Sequence, residues 1–261
     1  MPRTIQELFD LSGRIALVTG GAGKGFGSQI VEALLEAGAV VILTSRSGEK
    51  ARFRAAELQS RFPRACGEEL DLCREESVRA LLGRVRDRFD RIDILFNNAV
   101  QNHLAPTESV ERADWDRVLA VNITGTMLIS RAAAEAMRRQ GQGVIVNLSS
   151  QYALVAPDPK IYGDSGLNSP LVYGATKAAI LQMTRHMAIE WAPAVRVNSL
   201  TPGGLYAGQS GDFLRNYEQR TPLGRMAGPD DLKGAALFLA SDASAWMTGQ
   251  NLVIDGGWTA W

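Results

Sequence analysis

Short β-branched runs alternate with helix-length segments along nearly the whole chain, and that alternation leaves few folds open. The runs are RIALVTG (14–20), VVILTS (40–45), IDILFNNA (92–99), GVIVNLSS (143–150), VRVNSLTPG (195–203) and NLVIDGG (251–257), with a further strand expected near Glu69 to Leu72. Several are apolar without alternation, as a parallel strand buried on both faces requires. Between them lie SQIVEALLEAG, ESVRALLGRVRDRF, TMLISRAAAEAMRRQ and ATKAAILQMTRHMAIEWA, all of helical pattern. Such repetition predicts βαβ units and a parallel sheet with helices on both faces. No Pro- or Ser-rich linker interrupts it, so residues 1–261 read as one α/β domain.

Two stretches leave the rhythm. QYALVAPDPKIYGDSGLNSPLV (151–172) carries three prolines and two glycines, and GGLYAGQSGDFLRN (203–216) follows a strand end. Loops of this length usually cover or bind a ligand, and both follow strand C-termini, the edge where open α/β sheets bind. We expect substrate loops at about 151–172 and 203–221. Apolar residues make up 46% and charged residues 21%, with zero formal net charge, which argues against a nucleic-acid partner. MPRTIQELFDLSGR has no apolar h-region, and no run approaches the ~20 residues of a membrane span, so a cytoplasmic protein with no membrane partner is expected. Cys66 and Cys73, the only cysteines, have no CxxC spacing and predict no disulfide.

The turn after the first run, TGGAGKGFG, places five glycines and Lys24 between Gly20 and Gly27. A strand, a glycine turn and a helix N-terminus together make an anion site, because backbone N–H groups and the helix dipole converge there. Gly21, Gly25 and Gly27 follow a GxxxGxG spacing that suits a dinucleotide diphosphate. At the end of the second run, LTSRSGEK offers Ser45 and Arg46 and no carboxylate until Glu49. A guanidinium suits a 2′-phosphate, and Lys24 adds a second positive charge, so NADP(H) is favoured over NAD. Tyr173 and Lys177, in YGATK, share a helix face at i and i+4. A neighbouring ammonium can stabilise a phenolate and so fit a tyrosine for proton transfer.

TGGAGKGFG, NNAV (97–100), Asn122 in VLAVNITG, VIVNLSS, YGATK, NSLTPGG (198–204) and TGQNLVIDGG (248–257) occur in that order. In them the chain resembles the short-chain dehydrogenase/reductase family over essentially its whole length. The resemblance implies a Rossmann-like three-layer αβα domain with a mostly parallel seven-stranded sheet, a homodimer or homotetramer, and a carbonyl or alcohol substrate. It implies Tyr173 as general acid/base, with Lys177 binding the nicotinamide ribose and depressing the tyrosine pKa. It further implies Ser150 on the substrate oxygen, Asn122 holding a relay water, and Asp71 and Leu72 at the adenine. Asn98 and Ala99 would line the cofactor together with Gly20 and Phe26, and Thr201, Pro202 and Gly203 would flank the nicotinamide. No metal is implied, and His103 and His186 lack ligand neighbours.

The chain departs from the family pattern in three places. The glycine turn has one extra residue between Thr19 and Gly25, Val100 replaces a usual glycine, and the Ser150–Tyr173 segment is elongated. Asp158, Lys160, Tyr162, Asp164, Ser165 and Asn168, with Gln151 and Gln209, suggest a small polar, sugar-like substrate. A non-catalytic cofactor-binding scaffold, and an epimerase or dehydratase without net redox, remain open at this point.

Overall fold

A computed structural model describes residues 2–102, 107–165, 168–209 and 211–261. Seven parallel strands form one sheet in the order β3-β2-β1-β4-β5-β6-β7. They are β1 Ile15–Val18, β2 Val40–Ser45, β3 Ala65–Glu69, β4 Ile94–Asn97, β5 Gly143–Leu148, β6 Val195–Pro202 and β7 Asn251–Ile254. The helices are α1 Ile5–Phe9, α2 Phe26–Glu36, α3 Gly48–Gln59, α4 Glu75–Phe89, α5 Arg112–Leu119, α6 Thr126–Arg139, α7 Leu171–Trp191, α8 Gly211–Arg220 and α9 Lys233–Ala240.

Side chains alternate across the strands and feed two apolar layers. Ala16, Val18, Leu43 and Phe96 pack with Ile30 and Leu34 of α2 and Leu239 of α9. On the other face Ile15, Leu17, Leu95 and Ile145 meet Val78, Leu81 and Val85 of α4, Ile129 and Met137 of α6, and Trp191 of α7. The Rossmann-like αβα architecture expected from the pattern is therefore present. Strand order reverses between β1 and β4, which makes their C-terminal ends the switch point where such sheets bind ligands.

The strand expected near Glu69–Leu72 lies instead at Ala65–Glu69. Leu70 and Leu72 are buried in the following turn, packed in the layer that holds Val78 and Leu81, so their apolarity marks a core contact rather than a strand. Between α5 and α6 a π-turn spans Ala120–Gly125 within one helical run. The segment 203–216, expected as a loop with a short helix, contains most of α8.

Candidate active site

The glycine turn is held between three strand ends. Thr19 Oγ1 accepts from Asn98 N and Ala99 N at 3.0 Å each, and Asn98 Nδ2 donates to the Thr19 carbonyl at 2.9 Å. These bonds draw β1 against β4. A Cβ on Gly27 would lie 2.5 Å from Asn98 Nδ2, so the close approach demands glycine. Gly25 begins α2 at φ 147°, a conformation L side chains rarely adopt. The extra residue is absorbed by tucking Ala22 inward: its N–H donates to the Thr44 carbonyl at 3.3 Å and its side chain is buried. Lys24 then projects outward beside the turn.

A cavity of about 420 Å³ opens over this turn. It is lined by Gly20, Lys24, Gly25, Phe26, Gly27, Ser45, Arg46, Asp71, Leu72, Asn98 and Ala99, all anticipated from the sequence. Gly21 does not line it. A Cβ there would fall 2.9 Å from Val31 Cγ2, which makes Gly21 a packing position under the turn. Lys50, one turn into α3, lines the cavity and was not anticipated. Lys24, Arg46 and Lys50 are exposed and form no ion pair among the described residues. Asp71 is partly tied up, its Oδ1 accepting from Cys73 N at 3.0 Å.

On the other side of the switch point, Ser150 follows β5, with its Oγ accepting from Tyr152 N at 3.2 Å. Pro170 caps α7, and Tyr173 and Lys177 lie one turn apart on its inward face. Lys177 is buried, donates Nζ to the Leu148 carbonyl at 2.6 Å, and lies 5.8 Å from the Tyr173 ring centroid. Burial lowers its pKa to about 8. Burial pushes the Tyr173 phenol up, the Ser150 hydroxyl bonded to it opposes that rise, and the nearby Tyr162 phenol adds to it. At the Tyr173 phenol burial is the dominant influence, and one of the three N–H donors of the Lys177 ammonium is engaged by the Leu148 carbonyl.

Asn122 lies within the π-turn, where its Oδ1 accepts from Gln101 N at 2.8 Å and its Nδ2 donates to the Gln101 carbonyl at 3.0 Å and to Thr176 Oγ1 at 3.2 Å. Its side chain thus ties α7 to the loop after β4. Thr201 donates to Asn251 Oδ1 at 2.6 Å within the sheet. Pro202 ends β6, and Gly203 lines a separate cavity of about 90 Å³ beside Tyr217 and Asp255, so neither borders the larger cavity. His103 lies outside the described residues, and His186 is exposed near Glu190. Among the described residues no three His, Cys, Asp or Glu cluster as metal ligands. None of the described helices is long and apolar enough to cross a membrane, and both cysteines are free.

Most polar residues of the elongated segment serve their own loop. Asp158 Oδ1 accepts from Lys160 N, Asn168 Oδ1 from Ser169 N and Gln209 Oε1 from Ala207 N, while Lys160 and Asp164 are exposed. Ser165 is exposed too. Gln151 is buried and accepts from the Tyr217 hydroxyl at 3.2 Å, and the half-buried Tyr162 sets its ring against Phe213.

Fold and site together define a Rossmann-type α/β protein with Ser150, Tyr173 and Lys177 gathered at the C-terminal edge of its sheet. A family model described as enoyl-(acyl carrier protein) reductase matches residues 21–259. D-threitol dehydrogenase of Mycolicibacterium smegmatis is 38% identical over 260 residues, covering 96% of this chain and 95% of that protein. The structure of a gluconate 5-dehydrogenase from Burkholderia cenocepacia in complex with NADP and tartrate matches at TM-score 0.90 and 33% identity, covering 99% and 100% of the two chains. A short-chain dehydrogenase from Leptospira borgpetersenii with bound NAD+ matches at TM-score 0.87 and 34% identity, covering 99% and 97%. The chain belongs to the short-chain dehydrogenase/reductase family and is an oxidoreductase.

Proposed function

We propose that this protein interconverts a small polar ketone or aldehyde and the matching secondary or primary alcohol with NADP(H), the whole chain acting as one domain. The observation that carries this reading is Tyr173 and Lys177 on one inward face of α7, with the Tyr173 phenol bonded to Ser150. When bound, the nicotinamide supplies or accepts the hydride. Ser150 and Tyr173 polarise the substrate oxygen, and Tyr173 gives it a proton in reduction. Burial keeps that proton on the phenol at neutral pH, which suits the reductive direction. Lys177, an ammonium below about 8, shares the site and steadies the oxygen as charge develops on it. The main-chain carbonyl of Asn122 in the π-turn is the group we assign to the relay water.

The residues around the larger cavity fit a dinucleotide phosphate. Gly20, Gly25, Phe26 and Gly27 would hold the diphosphate at the start of α2, Asp71 and Leu72 the adenine, and Asn98 and Ala99 the adjoining ribose. Lys24, Arg46 and Lys50 supply unpaired positive charge where a 2′-phosphate would lie, and Pro202 and Gly203, at the end of β6, would flank the nicotinamide. Relatives divide between NADP and NAD+, so these cations are what favours NADP(H) here. A Lys24→Ala/Arg46→Ala variant should bind NADPH about 10–100-fold more weakly, as expected when a charge-assisted contact is lost, and leave NADH unchanged. Fluorescence titration of both cofactors decides it, and equal weakening of both would sink the assignment. We further propose a cytoplasmic homodimer or homotetramer, a reading supported by the exposed Trp246 and Ile189.

A further inference from the structure

The wall of the larger cavity is joined to α7 through two buried side chains, Asn122 and Thr176. Gln101 lines that cavity beside Val100 and Val121. Its N–H donates to Asn122 Oδ1 at 2.8 Å, and its carbonyl accepts from Asn122 Nδ2 at 3.0 Å. Asn122 Nδ2 also donates to Thr176 Oγ1 at 3.2 Å, and the Thr176 hydroxyl donates to the Tyr173 carbonyl at 2.9 Å. In the other direction the same loop reaches the glycine turn, where Asn98 and Ala99 donate to Thr19 Oγ1.

The chemistry of the groups fixes the direction of each bond. A carboxamide turned end for end would set oxygen against the Gln101 carbonyl and N–H against its N–H, so Asn122 has one orientation. In that orientation Nδ2 has a second hydrogen to place, and its acceptor on α7 is Thr176. A hydroxyl carries one hydrogen and two lone pairs, so Thr176 can give to Tyr173 and receive from Asn122 at once. It stands directly before Lys177 and bonds the main chain of Tyr173, in the turn of α7 that carries both. Thr176 itself does not line the cavity.

We propose that Thr176 is a positioning residue: through Asn122 its hydroxyl holds the first turns of α7, and with them Tyr173, at a set distance from the cavity wall against which the cofactor lies. The proposal rests on the reductase reading above. Thr176 acts by geometry alone, because its hydroxyl meets only Asn122 and the Tyr173 carbonyl. Displacing a proton donor by an ångström from its substrate costs up to about 100-fold in rate.

Two variants separate the hydroxyl from the bulk of the side chain. Thr176→Val keeps the shape and removes the hydroxyl, whereas Thr176→Ser keeps the hydroxyl and removes a methyl. With NADPH and the best substrate from a panel of small polar ketones and aldehydes, Thr176→Val should lower kcat by about 10–100-fold, with KM and NADPH affinity unchanged. Thr176→Ser should stay within a few-fold of wild type. Rates are counted per NADPH-binding site, so misfolded protein cannot imitate the result. Hydrogen exchange followed amide by amide by NMR gives a reading independent of turnover. The Gln101 N–H should exchange about tenfold faster in Thr176→Val, the scale of one lost buried hydrogen bond, and at the wild-type rate in Thr176→Ser. Equal losses of kcat in the two variants overturn the proposal, as does a Thr176→Val enzyme with wild-type kcat or with wild-type exchange at Gln101. In each of those cases the reductase reading stands. If the wild-type protein reduces nothing in the panel with NADPH or NADH, the reductase reading fails and the proposal falls with it.

Discussion

Tyr173→Phe should lower kcat and kcat/KM together by about 10²–10⁴-fold, the range a positioned proton donor contributes. Equal loss in both constants is the mark of an interaction made only in the transition state. The phenylalanine keeps the ring, so α7 and the affinity for NADPH should be unchanged in a titration of the variant. The pH profile should carry the same signature. Lys177 is protonated below about 8 and the buried phenol keeps its proton there, so reduction should be fastest on the acid side and fall as pH rises through that value. Oxidation needs the phenolate, and because burial holds the phenol above its ordinary value, oxidation should still be rising well on the alkaline side of that interval. A Tyr173→Phe enzyme within a few-fold of wild type would remove the phenol from the chemistry.

The second large effect is on stability, at the opposite end of the sheet. Asp93 is buried at the start of β4, where Oδ2 accepts from Ile15 N at 2.8 Å and Arg91 grips both carboxylate oxygens at 2.6 and 2.9 Å. Arg14 stands 3.6 Å away. Asp93→Ala leaves the Ile15 N–H without its partner and Arg91 without its carboxylate, while Arg14 keeps only Asp242, 3.8 Å away. Breaking a buried pair costs about 3–5 kcal/mol, and the partial exposure of Arg91 places this one near the lower end. For a chain of this length that loss lowers Tm by roughly 6–12 °C, which a thermal melt reads directly. A melt within a degree or two of wild type would show that the clasp does not hold β1 to β4.

The strands that were legible in the sequence are those buried on both faces, such as IALV and VVILTS, because nothing polar interrupts them. β3 was misplaced because it is an edge strand reading ACGEE, of which only Ala65 is buried, while Leu70 and Leu72 beyond it carry the apolar signal. The π-turn around Asn122 left no trace, since one extra residue in a helical turn barely alters the periodicity of a continuous helix. Of the cavity, Lys24 and Arg46 were legible because each sits where a turn or strand end must meet a ligand. Lys50 was not, because within GEKARFRAAELQ it looks like any solvated helix charge. The spacing of Arg46 and Lys50 across the N-terminus of α3 was the available signal. In the elongated loop, composition could not separate residues that cap their own turns, such as Asp158 and Asn168, from Tyr162, whose place depends on packing with Phe213.

The central claim is hydride transfer between NADP(H) and a polar carbonyl at Tyr173. Its most direct test supplies the protein with hydroxyacetone and NADPH deuterated at the transferable position, then examines the alcohol by mass spectrometry and NMR. The account predicts one deuterium on the carbinol carbon for each NADPH consumed, with the yield collapsing in Tyr173→Phe. Bound but unconsumed NADPH, or a rearranged product free of deuterium, would contradict it and leave a scaffold or an isomerising enzyme on the same fold.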